Sequence, residues 1–191
     1  MAEVTNTKVI TGPNIRFSYL NVFEPKAMAD GATPKYSVSL IISKNDKKTV
    51  QAVRAAIKAA YERDASKIKG GSKSMPVLSD LKTPLRDGDE ERPDDEAYKG
   101  SYFINANTTM KPGVVDAACN NIIDRSEVYS GCYGRASLTF FGYNAKGNRG
   151  IGANLNNLQK LRDGDPLGGR ATAASDFATC DDEEEDIDFL N

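Results

Sequence analysis

The stretch GCYGRASLTFFGYN, Gly131 to Asn144, sets Tyr133, Arg135, Phe141 and Tyr143 at odd positions, with Ser137 and Thr139 between them. Its even positions, Cys132, Gly134, Ala136, Leu138, Phe140 and Gly142, are small or apolar. Alternate side chains of a strand point to opposite faces, so this segment buries its even face and presents three aromatic rings and a guanidinium on the other. Packed into a core, the odd face would carry an arginine and several hydroxyls away from water. Left open, it is a stacking platform. A nucleobase gains roughly 1–3 kcal/mol on an aromatic ring, and every base has a π-face. In duplex DNA those faces are already stacked, so the platform selects single strands with little regard for sequence. The alternative is that the face packs under a loop or against a second subunit of a homodimer, with Arg135 reaching solvent at its rim.

Other candidates are spread along the chain. Phe17, Tyr19 and Phe103 lie in strand-like segments and serve either as core or as contacts. Lys35, Lys99, Lys111, Lys146 and Arg149 fall at strand ends and loops, where phosphate partners are found. The run DGDEERPDDE, Asp87 to Glu96, holds seven acids and raises the alternative of a metal-dependent nuclease. It departs from a calcium loop by placing Arg92 where the sixth-position glycine belongs and Pro93 after it, so a solvated loop is expected. GNRGIG, 147 to 152, lacks the G-x-G-x-x-G order and reads as a tight hairpin.

The chain has no histidine, which removes the commonest general base and the imidazole metal sites. Cys119, Cys132 and Cys180 match neither a zinc pattern nor a disulfide framework and are expected to be free thiols. No enzyme activity and no cofactor are expected. Charge is segregated: residues 1–175 carry all 25 bases against 19 acids, and residues 176–191 carry eight acids and no base. A basic body facing an acidic end suggests a polyelectrolyte partner and an internal competitor for it. After the acids come Asp186, Ile187, Asp188, Phe189 and Leu190, an acidic-apolar hook suited to a protein partner. A tail that only solubilises, or an adaptor that uses the tail without binding nucleic acid, are the competing readings.

The elements that must position these residues are mainly β. Arg16–Phe23 alternates, with Phe17, Tyr19, Asn21 and Phe23 on one side, and Lys35–Ser43 puts Tyr36, Val38, Leu40 and Ile42 on a core face. Val50, Val53, Ile57, Ala60, Tyr61 and Ile68 recur at helical spacing, predicting one helix from about 46 to about 68, capped by Ser43 or Asn45. Residues 70–98 read as a long surface loop with at best a short edge strand interrupted by Pro84. Residues 99–108 form another strand, with Ser101, Phe103 and Asn105 opposite Tyr102, Ile104 and Ala106. Short strands with a single helix predict an OB-fold-type small β-barrel with long loops over residues 1–170, followed by a disordered acidic tail over 171–191. No apolar run long enough for a signal peptide or a membrane span is present, so a cytoplasmic protein with no membrane partner is expected.

The segment from Gly131 to Gly169, together with NVFEPK, YSVSLIISKND and the acidic-hydrophobic end, resembles a family of bacteriophage single-stranded DNA-binding proteins with an OB-fold. The tail also resembles those of bacterial SSB proteins, although Phe189 is followed by Leu190 and Asn191 instead of being terminal. The resemblance implies non-specific single-strand binding in phage DNA replication, recombination or repair, inside the bacterial host cytoplasm. The charge partition adds the expectation that the acids lie along the basic groove until a strand displaces them, which frees Ile187, Phe189 and Leu190 for replication proteins such as a polymerase or helicase.

Overall fold

The computed structural model describes residues 6–168. The domain boundary at 170/171, Cys180 and the tail residues Asp186, Ile187, Asp188, Phe189 and Leu190 lie outside the described residues. The strands are β1 (Lys8–Ile10), β2 (Ile15–Lys26), β3 (Lys35–Ser43), β4 (Leu85–Asp87), β5 (Ser101–Thr108), β6 (Gly113–Val115), β7 (Tyr133–Ala145) and β8 (Asn148–Arg162). The helices are α1 (Lys47–Arg63), α2 (Ala65–Lys69) and α3 (Gly88–Glu91).

The alternation of β7 is the backbone of the architecture. Cys132, Ala136, Leu138 and Phe140 are buried with Gly134 and Gly142, while the odd positions stay partly or fully exposed. β7 and β8 form a long antiparallel hairpin across the Ala145–Asn148 turn. β2 pairs with β3, β3 with β5, and β5 touches β8 in parallel at Asn107 and Asn154. The ring closes where Ile15 and Arg16 of β2 meet Gly134 and Tyr133 of β7. Five strands closed in this way around Phe17, Leu40, Ile42, Ile104, Leu138, Phe140 and Leu155 make the small barrel of the OB-fold. β1, β4 and β6 are short additions on β7, β5 and β8.

The helix covers the stretch of β7 around Phe140 to Asn144, where β7 has only β8 as a strand neighbour. Its core face is Val50, Val53, Ala56, Ile57 and Ala60, the predicted stripe. Its cap is Asp46, which accepts from Thr49 N–H at 3.1 Å, in place of the expected Ser43 or Asn45. The single helix expected to residue 68 is broken at Asp64, whose carboxylate is drawn onto the barrel. It accepts from Gly142 N–H at 2.7 Å and from both ends of the Arg63 guanidinium. Gly142 is required for this approach: a Cβ there would lie 2.7 Å from Ile68 Cδ1 and 2.8 Å from Asp64 Cβ.

Two expectations need correction. The Arg16–Phe23 alternation does not run through, because Tyr19 has φ +47° and the β2–β3 register shifts between Ser18 and Asn21. This bulge changes phase: Phe17 and Val22 point inward and Tyr19 points out. Residues 70–98 are more than a surface loop with one short edge strand. They contain β4, α3 and short 3₁₀ turns, and they fold over the outer side of β3 and β5. There Tyr98 is completely buried against Ile41 and Phe103, in a second small core outside the barrel.

The Arg63 hydrogen bonds, followed by the Gly142 N–H, hold the Asp64 carboxyl below its ordinary value. A depressed folded value confers stability that is complete above the unfolded value, near 3.9, and is lost as pH falls through the lower folded one. Asp64→Ala should cost about 1–3 kcal/mol at neutral pH by leaving Gly142 N–H unpaired. The deficit relative to the parent chain should shrink as denaturation is followed from pH 6 down to about pH 2–3; a deficit constant over that range would reject the role of this carboxylate.

Candidate nucleic-acid interface

The outer face of the barrel is divided. At one end of β3 and β5, Tyr98 seals Phe103 edge to face, with centroids 5.1 Å apart, and donates its hydroxyl to Ser39 Oγ at 2.9 Å. Beyond that lid the face is open. A cavity of about 810 Å³ is lined by Tyr19 and Asn21 of β2, Lys35 and Ser37 of β3, Asn105 and Asn107 of β5, Arg92, and Met28 and Thr33 of the β2–β3 loop. A second, of about 370 Å³, shares Lys35, Asn105 and Asn107 and continues to Arg86, Phe141 and Tyr143. The two form one trough that crosses β2, β3, β5, β8 and β7, four strand spacings or about 19 Å.

Each side chain in the trough is placed by a local reason. The bulge leaves Tyr19 58% exposed, with the Arg92 guanidinium 5.2 Å from its ring centroid. A non-glycine residue at positive φ is strained, and such strain collects where a side chain must be aimed. At the far end, Phe141 lies over Gly152 and Tyr143 over Gly150, their cross-strand partners. A Cβ on Gly152 would come within 2.6 Å of Phe141 Cζ, and one on Gly150 within 2.8 Å of Tyr143 Oη. The two glycines let the rings settle onto the sheet, which fixes the platform before any ligand arrives. Between the rings, Asn21, Ser37, Asn105 and Asn107 offer amide and hydroxyl groups, and Met28 projects from the loop.

Arg92 joins the two halves of the face. Its guanidinium sits 4.5 Å from the Tyr98 ring, 5.0 Å from Phe103 and 5.2 Å from Tyr19. Among the described residues it has no carboxylate partner, although its loop is rich in acid. Four of the seven acids in its loop are engaged elsewhere. Asp87 and Asp89 both hold Lys44 at 2.7 Å, Glu91 pairs with Arg86, and Asp95 caps the turn that carries Tyr98. The Lys44 ammonium is raised by these two carboxylates, and Asp89 is lowered by Lys44 first and then by the Gly100 N–H. Among the described residues no three acids or thiols converge as metal ligands. The 87–96 loop is a scaffold for Arg92.

The residues singled out from sequence are thus distributed unevenly. Tyr19, Lys35, Phe141 and Tyr143 come together in the trough. Phe17 does not: it points into the barrel with no exposed surface. Phe103 is on the outer face, as the alternation required, yet the Tyr98 lid buries it completely. Lys146 is exposed in the β7–β8 turn next to Tyr143, and Lys111 is exposed in the turn after β5. Lys99 is exposed beside Asp89, behind the lid. Arg149 is directed to the 70–72 segment, donating to Ser72 Oγ at 2.5 Å. Tyr133 and Arg135 lie at the opposite end of β7, outside both cavities. Asn21, Met28, Arg86, Arg92, Asn105 and Asn107 were not singled out; the outward alternation of β5 was the available signal for Asn105, and Arg92 had none.

An OB-type barrel with aromatic rings, amides and cations on its outer strand face, next to the β2–β3 and β7–β8 loops, has the architecture of the oligonucleotide-binding class. The family described as "Enterobacter phage Enc34, ssDNA-binding protein" matches residues 7–189, and the chain belongs to it. That family is one of binding proteins, not of enzymes. A protein of Acyrthosiphon pisum secondary endosymbiont phage 1, p50, is 29% identical over 182 residues, covering 90% of this chain and 95% of that one.

The fold is shared with solved structures. The C-terminally truncated single-stranded DNA-binding protein of bacteriophage Enc34 superposes with a TM-score of 0.70 at 22% identity, over 87% of this chain and 95% of that one. The same phage protein in complex with ssDNA gives 0.68 at 24% identity, over 88% and 97%. The single-stranded DNA-binding protein gp2.5 of bacteriophage T7 gives 0.55 at 14% identity, over 96% and 98%. Among the described residues no helix is long and apolar enough to cross a membrane.

Burial separates core from contact among the aromatic candidates. Phe103→Ala should cost about 3–5 kcal/mol of folding stability by emptying the outer core. Tyr19→Ala should cost less than about 1 kcal/mol. Comparable losses in urea denaturation would contradict this partition of the face.

Proposed function

We propose that the chain is a sequence-non-specific single-stranded DNA-binding protein. It coats and protects single strands during phage DNA replication, recombination or repair in the host cytoplasm. The observation that carries the reading is the trough, with Tyr19 at one end, Phe141 and Tyr143 at the other, and neutral amides with Lys35, Arg86 and Arg92 between. Rings capture unstacked bases, cations meet the backbone, and the amides accept any base edge without demanding one. Family membership supports the same reading, as does the relative whose structure holds ssDNA.

Residues 1–170 act as the binding domain and 171–191 as the acidic tail. The eight acids of residues 176–191 compete with DNA for the trough, and a bound strand frees Asp186 to Leu190, with Ile187 and Phe189 as anchors, for a polymerase or helicase. Support for the competition comes from the charge partition and from the route of the chain after β8. Arg16 donates to the Asp165 carbonyl at 2.8 Å, and Leu167 packs against Ile41, Tyr98 and Phe103. The chain therefore reaches residue 168 beside Tyr98 and Phe103, two of the three rings that Arg92 faces.

Fluorescence anisotropy of labelled single-stranded and duplex oligonucleotides tests both parts. The full chain should prefer the single strand and lose affinity with salt, and removal of residues 176–191 should tighten binding. Tyr19→Ala and Phe141→Ala should each weaken single-strand binding by about 5- to 150-fold, the equivalent of one lost stack of 1–3 kcal/mol. Absence of binding by both the full and the shortened chain would overturn the assignment. A shortened chain that binds no more tightly would remove the competing role of the tail alone.

A further inference from the structure

We propose that Arg16, Tyr133 and Arg162 form a second contact for the phosphate backbone, separate from the trough and at the opposite end of β7. The proposal rests on the single-strand reading above. Tyr133 is flanked by two directly opposed cross-strand partners, Arg16 on β2 and Arg162 on β8. Direct partners share a sheet face, so the three side chains stand in one row on the outer surface. The Arg162 guanidinium carbon lies 3.7 Å from the Tyr133 centroid and that of Arg16 lies 5.4 Å away. With Arg162 against it, the ring is occupied by the protein's own cation. Tyr133 is thereby a positioning residue for arginines, in contrast to Phe141 and Tyr143, over which no cation lies among the described residues.

The arginines are oriented without being neutralised. Arg16 donates Nε–H to the Gly131 carbonyl at 3.4 Å and an Nη2–H to the Asp165 carbonyl at 2.8 Å, and Arg162 donates to Asn14 Oδ1 at 3.5 Å. A guanidinium has five N–H donors, so most of the donors on the pair remain free among the described residues. Within those residues neither arginine, nor Arg135 two positions along β7, forms an ion pair. The nearby Asp163 is held by Lys160 at 2.7 Å and by the Tyr129 hydroxyl at 3.1 Å. Two like charges gathered on one ring, with Asp163 held by Lys160 and no carboxylate paired with either arginine among the described residues, form a site that is relieved by an arriving anion. A fork of free N–H groups fits phosphate oxygens better than any other common anion except carboxylate.

The surface between the two sites favours a nucleic-acid backbone over an acidic protein segment. From Phe141 back to Tyr133 the outer positions of β7 are Thr139, Ser137 and Arg135. Asn156 donates to both hydroxyls, at 2.9 and 3.3 Å, giving a polar strip without a carboxylate. At 3.3 Å per residue the strip is up to about 26 Å long. A strand leaving the trough at Phe141 and Tyr143 therefore has a hydroxyl-lined path to the arginines, and only a ligand long enough to span both sites reaches them.

The test uses the full chain and oligothymidylates of about 6 and about 20 nucleotides, within and beyond the span of one OB barrel. Arg162→Ala and Arg16→Ala should leave the short oligonucleotide unaffected and weaken the long one roughly three- to tenfold. The salt dependence of long-strand binding should become shallower by about 0.7 logarithmic units for each phosphate that is no longer neutralised. Tyr133→Ala should reproduce the arginine variants, and Tyr133→Phe should behave as the parent. Arg162→Gln, which keeps bulk and hydrogen bonding, separates loss of charge from loss of fold, with melting temperature read in parallel. Equal losses on both lengths, or none on the long one, would overturn the proposal. It would also be overturned if the losses vanished after removal of residues 176–191, since the arginines would then serve the tail. Failure of the trough reading is distinct: Tyr19→Ala and Phe141→Ala would then leave short-strand binding intact.

Discussion

From Cys132, which leads into β7, through Gly134, Ala136, Leu138, Phe140 and Gly142 burial alternates without a break, and the other elements are arranged around that buried row. Its apolar members fill the barrel, and its glycines mark where something must come close. At Gly134 the neighbour is β8, whose Gln159 carbonyl leaves no room for a side chain; at Gly142 it is the broken helix. Because the strand period is two, burying one face obliges the other to point outward. The functional candidates on the odd positions are thus exposed by the same interaction that holds the barrel together.

The outer face is not given over wholly to binding. Tyr98 and the 87–96 loop take the half that carries Ile41 and Phe103 and make a second core of it. This converts an exposed apolar patch into packed surface, and it brings Arg92 out of an acid-rich segment onto three aromatic rings. Four of the loop's carboxylates, those of Asp87, Asp89, Glu91 and Asp95, are occupied by Lys44, by Arg86 and by a turn cap. Charge in this protein is sorted at two scales: locally, by pairing acids away from the trough, and along the chain, by leaving the last sixteen residues without a base.

Much of the architecture was legible because it depends on periodicities that tertiary contacts do not easily override. The two-residue alternation of β3, β5 and β7 and the three- to four-residue recurrence of Val50, Val53, Ile57 and Ala60 reflect burial of one face, which any packing partner satisfies. The positions where the reading failed are those where one local interaction breaks the period. Tyr19 adopts a left-handed conformation at a bulge, Asp64 turns out of the helix to accept from Gly142, and Tyr98 closes over Phe103 from a segment with no periodicity.

The sequence by itself determined that this is a mainly β chain with an alternating strand that carries aromatic rings on its outer face, a surplus of base in its body and a run of acid without base at its end. These follow from composition and spacing, which are properties of the chain alone. Only the tertiary structure decided which rings share a trough. Phe141 and Tyr143 meet Tyr19, Asn105 and Arg92 because ring closure brings β2, β5 and β7 into one curved sheet, and no distance along the chain encodes that neighbourhood. It also decided that Tyr133, on the same face of the same strand, belongs elsewhere: β2 and β8 deliver Arg16 and Arg162 to it, and their charges set its environment.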